Sequence, residues 1–160
     1  MNLLNKPYTT HIPMLIKCVL ATDGGVLELG SGLSSTPLLH WLCHENARPL
    51  ITFEENKLFY DYARKFQSRN HRIRLVDWNK FEIGGHWSVA LVDQATKFRM
   101  PTLIYLKDKV DYIVIHDTQA EEAYQYDMVW PHFKYRHTWK GCQPWTTVVS
   151  NFKDTSWLTP

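Results

Sequence analysis

The stretch Gly25-Val-Leu-Glu-Leu-Gly-Ser-Gly-Leu-Ser-Ser-Thr-Pro37 predicts a strand, a tight turn and the start of a helix. A short apolar run ends at Gly30 and Gly32, and an amphipathic segment begins at Pro37. Because glycine has no Cβ, it permits a sharp bend and a close approach of the backbone to a ligand. The free N–H groups that begin the helix offer donors and a partial positive charge. We therefore expect a ligand-binding turn here.

The bulk properties favour one cytoplasmic domain. The chain of 160 residues is 44% hydrophobic, which suffices for a substantial core, and we expect residues 1–160 to form a single domain. A net charge of +2 does not by itself indicate a nucleic-acid or membrane partner. The three cysteines are widely spaced and lack metal-ligand spacing, and no export or anchoring segment is recognised. These features predict a reducing compartment and no membrane association.

Helical patterns alternate with apolar runs along residues 24–118 and predict a mostly parallel sheet with helices on both faces. The expected fold class is α/β, a Rossmann-like three-layer α/β/α sandwich. Residues 1–23 should form a helical segment before this core, and residues 119–160 should add a helix and an antiparallel strand pair. The predicted strands cover residues 26–29, 48–53, 72–76, 87–92, 110–115, 135–140 and 146–152. The predicted helices cover residues 10–22, 36–45, 57–67 and 121–129, and another begins at residue 101.

Polar side chains follow every strand of the predicted parallel sheet. Ligands of such sheets bind beyond the carboxyl ends of the strands, and these ends share one edge. The polar strand ends are the glycine turn with Glu28, the pair Glu54-Glu55, Asp77-Trp78, Asp93 and the pair His116-Asp117. We expect them to line one site.

The pattern Glu28-x-Gly30-x-Gly32 resembles the first motif of the class I S-adenosylmethionine-dependent methyltransferases. That motif has an acidic residue, one residue and then Gly-x-Gly at the end of the first strand. The resemblance implies S-adenosyl-L-methionine as the cofactor, with further loop contacts from Ser31, Ser34 and Ser35. The dinucleotide fingerprint needs a third glycine where Ser35 stands, so an NAD-dependent oxidoreductase is the less favoured alternative.

The second and third strand ends extend this resemblance. A carboxylate after the second strand can accept both hydroxyls of a ribose, a role that maps onto Glu54, with Glu55 as the fallback. Asp77 lies where the family places a polar residue near the adenine amino group. Trp78 would cover the adenine ring, although plain core packing explains it equally well.

The fourth and fifth strand ends resemble those of small-molecule O-methyltransferases, which implies a small-molecule acceptor. Asp93, His116 and Asp117 are the expected catalytic residues, and His116 has the most suitable unperturbed pKa for a base. Some members bind a divalent cation, and Asp93 with Asp117 would supply two oxygens to Mg²⁺. A third acidic ligand is lacking, so a metal site is not favoured. A hydrogen-bonded strand end is the alternative interpretation of the His116-Asp117 step.

One basic cluster is present in the sequence. Basic residues cluster along residues 64–74, namely Arg64, Lys65, Arg69, Arg72 and Arg74 together with His71. They could attract nucleic acid, but the C-terminus of a helix also favours cations, so we do not expect a nucleic-acid partner.

A chain this short also leaves a non-catalytic binding or scaffold protein as an alternative, and a second subunit would complete a small open site in a homodimer.

Overall fold

Seven strands form one sheet in the computed structural model, which describes residues 9–158. In chain order the strands are β1 (Val26–Leu29), β2 (Leu50–Glu54), β3 (His71–Leu75), β4 (Trp87–Val92), β5 (Val110–Ile115), β6 (Tyr135–Trp139) and β7 (Thr146–Ser150). Their order across the sheet is β3-β2-β1-β4-β5-β7-β6. The first five strands are parallel, and β7 pairs antiparallel with both β5 and β6. This arrangement confirms the predicted fold class.

The helices pack on both faces of the sheet. They are α1 (Ile12–Leu20), α2 (Ser35–Glu45), α3 (Lys57–Ala63), α4 (Thr96–Leu106), α5 (Glu121–Tyr124) and α6 (Tyr126–Val129). Short 3-10 turns cover Arg64–Phe66, Trp78–Lys80, Trp130–His132 and Ser156–Leu158. No helix within residues 9–158 is both long and apolar enough to cross a bilayer.

Two apolar layers hold the helices to the sheet, because alternate residues of a strand face opposite sides. On one side, α1 and α2 pack on Val26, Leu50 and Leu91. On the other side, α4 and α6 pack on Leu27, Ile113 and neighbouring strand residues. The central strands are therefore buried on both faces, as their continuous apolar sequences predict.

Several element boundaries differ from prediction. The helix expected over residues 121–129 is two short helices, because Gln125 adopts a left-handed conformation with φ of 56° between them. The helix expected from Pro101 begins earlier, at Thr96, and contains Pro101 in its interior. The predicted N-terminal segment is described from residue 9 onwards, so its first eight residues lie outside the described range, as do residues 159 and 160.

Candidate functional site

The glycine turn lies where β1, β2 and β4 end at one edge of the sheet. Gly30 has a φ of +91°, and a Cβ built there would lie only 2.7 Å from the backbone of Asp93. Any larger residue would meet both the wrong conformation and a fixed backbone. The turn is therefore pressed against the end of β4, which brings the predicted cofactor and catalytic regions together.

Glu54 ends β2 and holds the glycine turn. Its Oε2 accepts hydrogen bonds from the backbone N–H of Ser31 at 2.7 Å and from the Ser31 hydroxyl at 2.9 Å. Its Oε1 accepts from the N–H of Asn56 at 2.7 Å. Each carboxylate oxygen can accept two bonds, so Oε1 keeps capacity for a ligand hydroxyl. Glu55, the fallback residue, is exposed in the following turn.

Glu28 lies beneath the turn and is fully buried. Its carboxylate accepts from the hydroxyls of Ser35 at 2.6 Å, Thr36 at 3.0 Å and Thr52 at 2.7 Å. Burial raises the pKa of Glu28 to about 7, although these hydrogen bonds act in the opposite direction. Thr36 also accepts from the N–H of Gly32 at 3.0 Å. Glu28 and Ser35 thus support the turn from below.

A buried chain of hydrogen bonds continues from Glu28 to two histidines. The Thr52 hydroxyl, which donates to Glu28, lies 2.8 Å from Nε2 of His71. Burial lowers the pKa of His71 to about 4, so its ring is neutral. Nδ1 of His71 lies 3.2 Å from Nδ1 of His40. His71 belongs to this interior chain and not to the exposed basic cluster in which the sequence placed it.

Backbone donors remain free at the start of α2. The N–H groups of Ser31 and Gly32 bind Glu54 and Thr36, whereas those of Leu33 and Ser34 have no acceptor within the described residues. The Ser34 side chain forms no cap to the helix. Unpaired N–H groups at a helix N-terminus are suited to an anionic or polar ligand atom.

At the third strand end, an exposed aspartate is followed by a buried tryptophan. Asp77 is exposed and caps the 3-10 turn Trp78–Lys80 by accepting from the backbone and side chain of Asn79. The bond from the Asn79 N–H lowers the pKa of Asp77. Trp78 is only 7% exposed and packs against Phe81 in the core. The core interpretation of Trp78 is thus the one that its surroundings favour.

Asp93, His116 and Asp117 are brought together around a fourth residue, Arg99 of α4. Its Nη2 donates to Asp93 at 2.9 Å and to Asp117 at 3.3 Å. Its Nε and Nη1 donate to the backbone carbonyls of Gln94 and His116, both at 2.7 Å. Burial alone would raise the pKa of Asp93, but the hydrogen bond from His116 and nearby cations hold it below its usual value. Asp93 is therefore charged, and Arg99 pairs with both carboxylates.

His116 links this cluster to the residues that precede α1. Its Nδ1 lies 3.1 Å from Oδ1 of Asp93, and its Nε2 lies 3.0 Å from the hydroxyl of Thr10. The ring of His11 stands edge-on to that of His116, with centroids 4.7 Å apart. Both ring nitrogens of His11 are buried without a partner among residues 9–158, and burial lowers its pKa to about 4. A neutral, unpaired imidazole thus lies beside the predicted catalytic residues.

The predicted pair of Mg²⁺ ligands does not fit a hard cation. Asp93 and Asp117 converge on the guanidinium of Arg99, which fills the position between the two carboxylates. The one grouping within residues 9–158 with the composition of a metal site joins His11, Asp93 and His116, whose ligand atoms lie within 4.8 Å of one another. Two imidazoles and one carboxylate differ from the oxygen-rich cage that Mg²⁺ prefers. We derive no role for a metal here.

Arg99, Thr10 and His11 are the site residues that sequence reasoning missed. Arg99 precedes the predicted start of its helix, and Thr10 and His11 reach the site only through the packing of α1. A partial signal for Arg99 existed, because two acids at neighbouring strand ends require a nearby cation when they are buried.

Comparison with known proteins identifies the fold. No protein-family model and no curated protein sequence matches this chain. The delta-N METTL16 methyltransferase domain superposes with a TM-score of 0.66 at 12% identity, over 92% of this chain and 84% of that one. A TehB-like S-adenosylmethionine-dependent methyltransferase from Corynebacterium glutamicum superposes with a TM-score of 0.60 at 13% identity, over 91% of this chain and 89% of that one. A putative RNA methyltransferase from Pyrococcus horikoshii superposes with a TM-score of 0.58 at 14% identity, over 91% of this chain and 83% of that one.

The architecture is therefore that of the S-adenosylmethionine-dependent methyltransferases. At these identities the likeness shows the fold alone. None of the three similar structures is described as a small-molecule O-methyltransferase, so the finer resemblance suggested by the fourth and fifth strand ends has no counterpart among them.

Proposed function

We propose that this protein is an S-adenosylmethionine-dependent methyltransferase. One observation carries the proposal: in a methyltransferase fold, the turn after β1 presents free N–H groups beside the carboxylate that ends β2. The residues present fit the cofactor. A ribose hydroxyl of the cofactor needs an acceptor, which the Glu54 carboxylate provides, and its carboxylate needs donors, which the backbone N–H groups of Leu33 and Ser34 provide.

The cofactor-binding core corresponds to residues 24–118 in this proposal. The N–H groups of Leu33 and Ser34 would hold the polar end of S-adenosyl-L-methionine, and Glu54 would accept from its ribose. When bound, the cofactor supplies a methyl group that is already activated on a sulfonium. The tasks left to the protein are to orient the acceptor and to remove its proton.

His116 is the residue best placed to take that proton. Asp93 accepts from Nδ1 of His116, which fixes the ring and leaves Nε2 as the proton acceptor. The hydroxyl of Thr10 occupies Nε2 at 3.0 Å, so an acceptor hydroxyl would replace Thr10 or pass its proton through it. Arg99 binds both Asp93 and Asp117 and holds them in position.

The acceptor is proposed at the level of its chemistry. A hydroxyl of a small molecule is the acceptor that the sequence of the fifth strand end favours. An RNA acceptor is the second candidate, supported by the structural neighbour from Pyrococcus horikoshii that is described as a putative RNA methyltransferase. The non-catalytic alternative requires cofactor binding without methyl transfer to either class of acceptor.

Calorimetry with S-adenosylmethionine and S-adenosylhomocysteine tests the cofactor. We expect both to bind, and Glu54→Gln to weaken binding by roughly tenfold or more, since a charge-assisted hydrogen bond is lost. Glu55→Gln is the matched control and should leave affinity unchanged. Absence of binding at millimolar concentration would refute the proposal, and a rise in melting temperature with NADH alone would favour the oxidoreductase.

A further inference from the structure

The outer face of the edge strand β3 is not covered by a helix. His71 and Ile73 are buried on the side of α2, where His71 contacts His40, whereas Arg72 and Arg74 lie on the opposite face and are exposed. Ile51 and Phe53 of β2 lie beside these two arginines on that same face. The apolar layer therefore ends at β2, and β3 presents charged side chains.

The short connection between β3 and β4 explains why this face is open. Residues 76–86 contain only the 3-10 turn Trp78–Lys80 and no α-helix. Phe81 packs edge-on against Phe53, with ring centroids 5.1 Å apart, and Trp78 packs against Phe81. This connection covers β2 and leaves the face of β3 exposed.

The arginines on this face have no acidic partner. Within residues 9–158, no carboxylate forms an ion pair with Arg69, Arg72 or Arg74. Residues two apart on a strand are separated by roughly 7 Å, so Arg72 and Arg74 form a row along the edge. The helix-end explanation applies to Arg64 and Lys65, which follow α3, and cannot apply to arginines within a strand.

A cavity of about 320 Å³ lies at one end of this row. Its lining residues include Trp87, Pro49, Asn70, Arg69 and Arg72, and none of them is acidic. This volume is within the range of small-ligand pockets. The cavity is at the amino ends of β2, β3 and β4, and thus at the opposite edge of the sheet from the glycine turn.

We propose that Arg69, Arg72 and Arg74, together with this cavity, form a binding surface for single-stranded nucleic acid. Guanidinium groups bind phosphate oxygens in a bidentate manner, and a row of them follows a phosphodiester backbone. A base would enter the cavity and contact Trp87, as aromatic side chains do in sequence-tolerant binding of single strands. The surface is separate from the methyl-transfer site, and the proposal does not depend on that activity.

Fluorescence anisotropy with a labelled 15-nucleotide RNA and the DNA of the same sequence tests this surface in the full chain. The variant Arg69→Gln/Arg72→Gln/Arg74→Gln should lose at least tenfold in affinity at 50 mM salt. The slope of log K against log salt should fall by about 2, since each phosphate contact on a single strand contributes roughly 0.7. Trp87→Leu should weaken binding several-fold and leave the slope unchanged.

A matched variant on the opposite edge of the sheet separates specific contacts from net charge. Lys134→Gln/Arg136→Gln/Lys140→Gln removes three exposed positive charges beside β6 and should retain wild-type affinity. Binding of either the RNA or the DNA supports the proposed surface, and the one that binds more tightly identifies the type of strand that this surface recognises. The proposal is overturned if the wild type does not bind or if both triple variants lose affinity equally. It is also overturned if heparin displaces the labelled strand as well as unlabelled nucleic acid of the same total charge does.

Discussion

The guanidinium of Arg99 lies 2.9 Å from the carboxylate of Asp93, and the same Nη2 reaches Asp117 at 3.3 Å. Arg99 is only 5% exposed, and its removal deprives both carboxylates of their cation and leaves Asp93 with the hydrogen bond from His116 alone. We expect Arg99→Met to lower the free energy of unfolding by about 3 to 5 kcal/mol, the usual effect of breaking a buried ion pair. Urea denaturation followed by circular dichroism measures this loss.

The Asp93→Asn substitution supplies the control for that prediction. In the Arg99→Met background it removes one of the uncompensated charges, so it should recover part of the lost stability, whereas alone it should destabilise. The double-mutant cycle measures the coupling between the two residues directly. Additive effects, or a loss below about 1 kcal/mol for Arg99→Met, would contradict the assignment of Arg99 as the cation of this site.

Gly30 is the residue whose substitution should separate the glycine turn from β4. Gly30→Ala combines a φ of +91° with a Cβ placed 2.7 Å from the backbone of Asp93, so we expect a loss of about 2 kcal/mol or more. Gly84→Ala is the control, because a Cβ there has no atom within 4 Å. Equal melting temperatures for the two variants would show that the turn accommodates a side chain.

The strand and helix pattern was largely predictable, and the exceptions have local physical causes. The runs at residues 87–92 and 110–115 coincide with β4 and β5 because both strands are buried on both faces and carry mostly apolar sequence, broken only by Ser88 and Asp111. The predicted start of α4 at Pro101 was wrong. Proline is favoured in the first turn of a helix, whereas Pro101 lies in the interior of α4. Gln125, which breaks the C-terminal helix, carries no comparable signal.

The site was predictable only where the strand topology determines it. Parallel strands end at one edge, so the proximity of Glu54, Asp93 and His116 follows from the strand assignment. The contact between His11 and His116 depends on how α1 packs, and no local pattern reveals a contact across that sequence distance. Glu28 matched a motif by type and spacing, but only the structure shows that three hydroxyls enclose it.

Glu28 should make stability fall as pH rises towards neutrality. Its pKa is raised to about 7 in the fold, so the folded chain holds this proton more tightly than the unfolded chain. The stability that Glu28 contributes is fully present below its pKa in the unfolded chain and is lost as the pH rises through its pKa in the folded chain. Glu28→Gln should abolish this loss between about pH 4.5 and 7, on the order of 2 to 3 kcal/mol, whereas the exposed Glu45→Gln should not. Urea titrations across that range test the difference.

His11 should have the opposite effect in acid. Burial lowers its pKa to about 4, so the folded chain resists its protonation, and its contribution to stability is present above pH 6.5 and lost as pH falls through 4. His71 acts in the same direction, so replacing His11 removes only part of the acid sensitivity.

His11→Leu tests this effect, because it also removes two ring nitrogens that are buried and have no partner in the described part of the chain. We expect the variant to lose less stability than the wild type between pH 7 and pH 4.5, by on the order of 2 kcal/mol, and to be no less stable at pH 7. Exposed His132→Leu should follow the wild-type profile. A steep loss of stability at pH 7 in His11→Leu would mean that the imidazole binds a group that stabilises the folded protein.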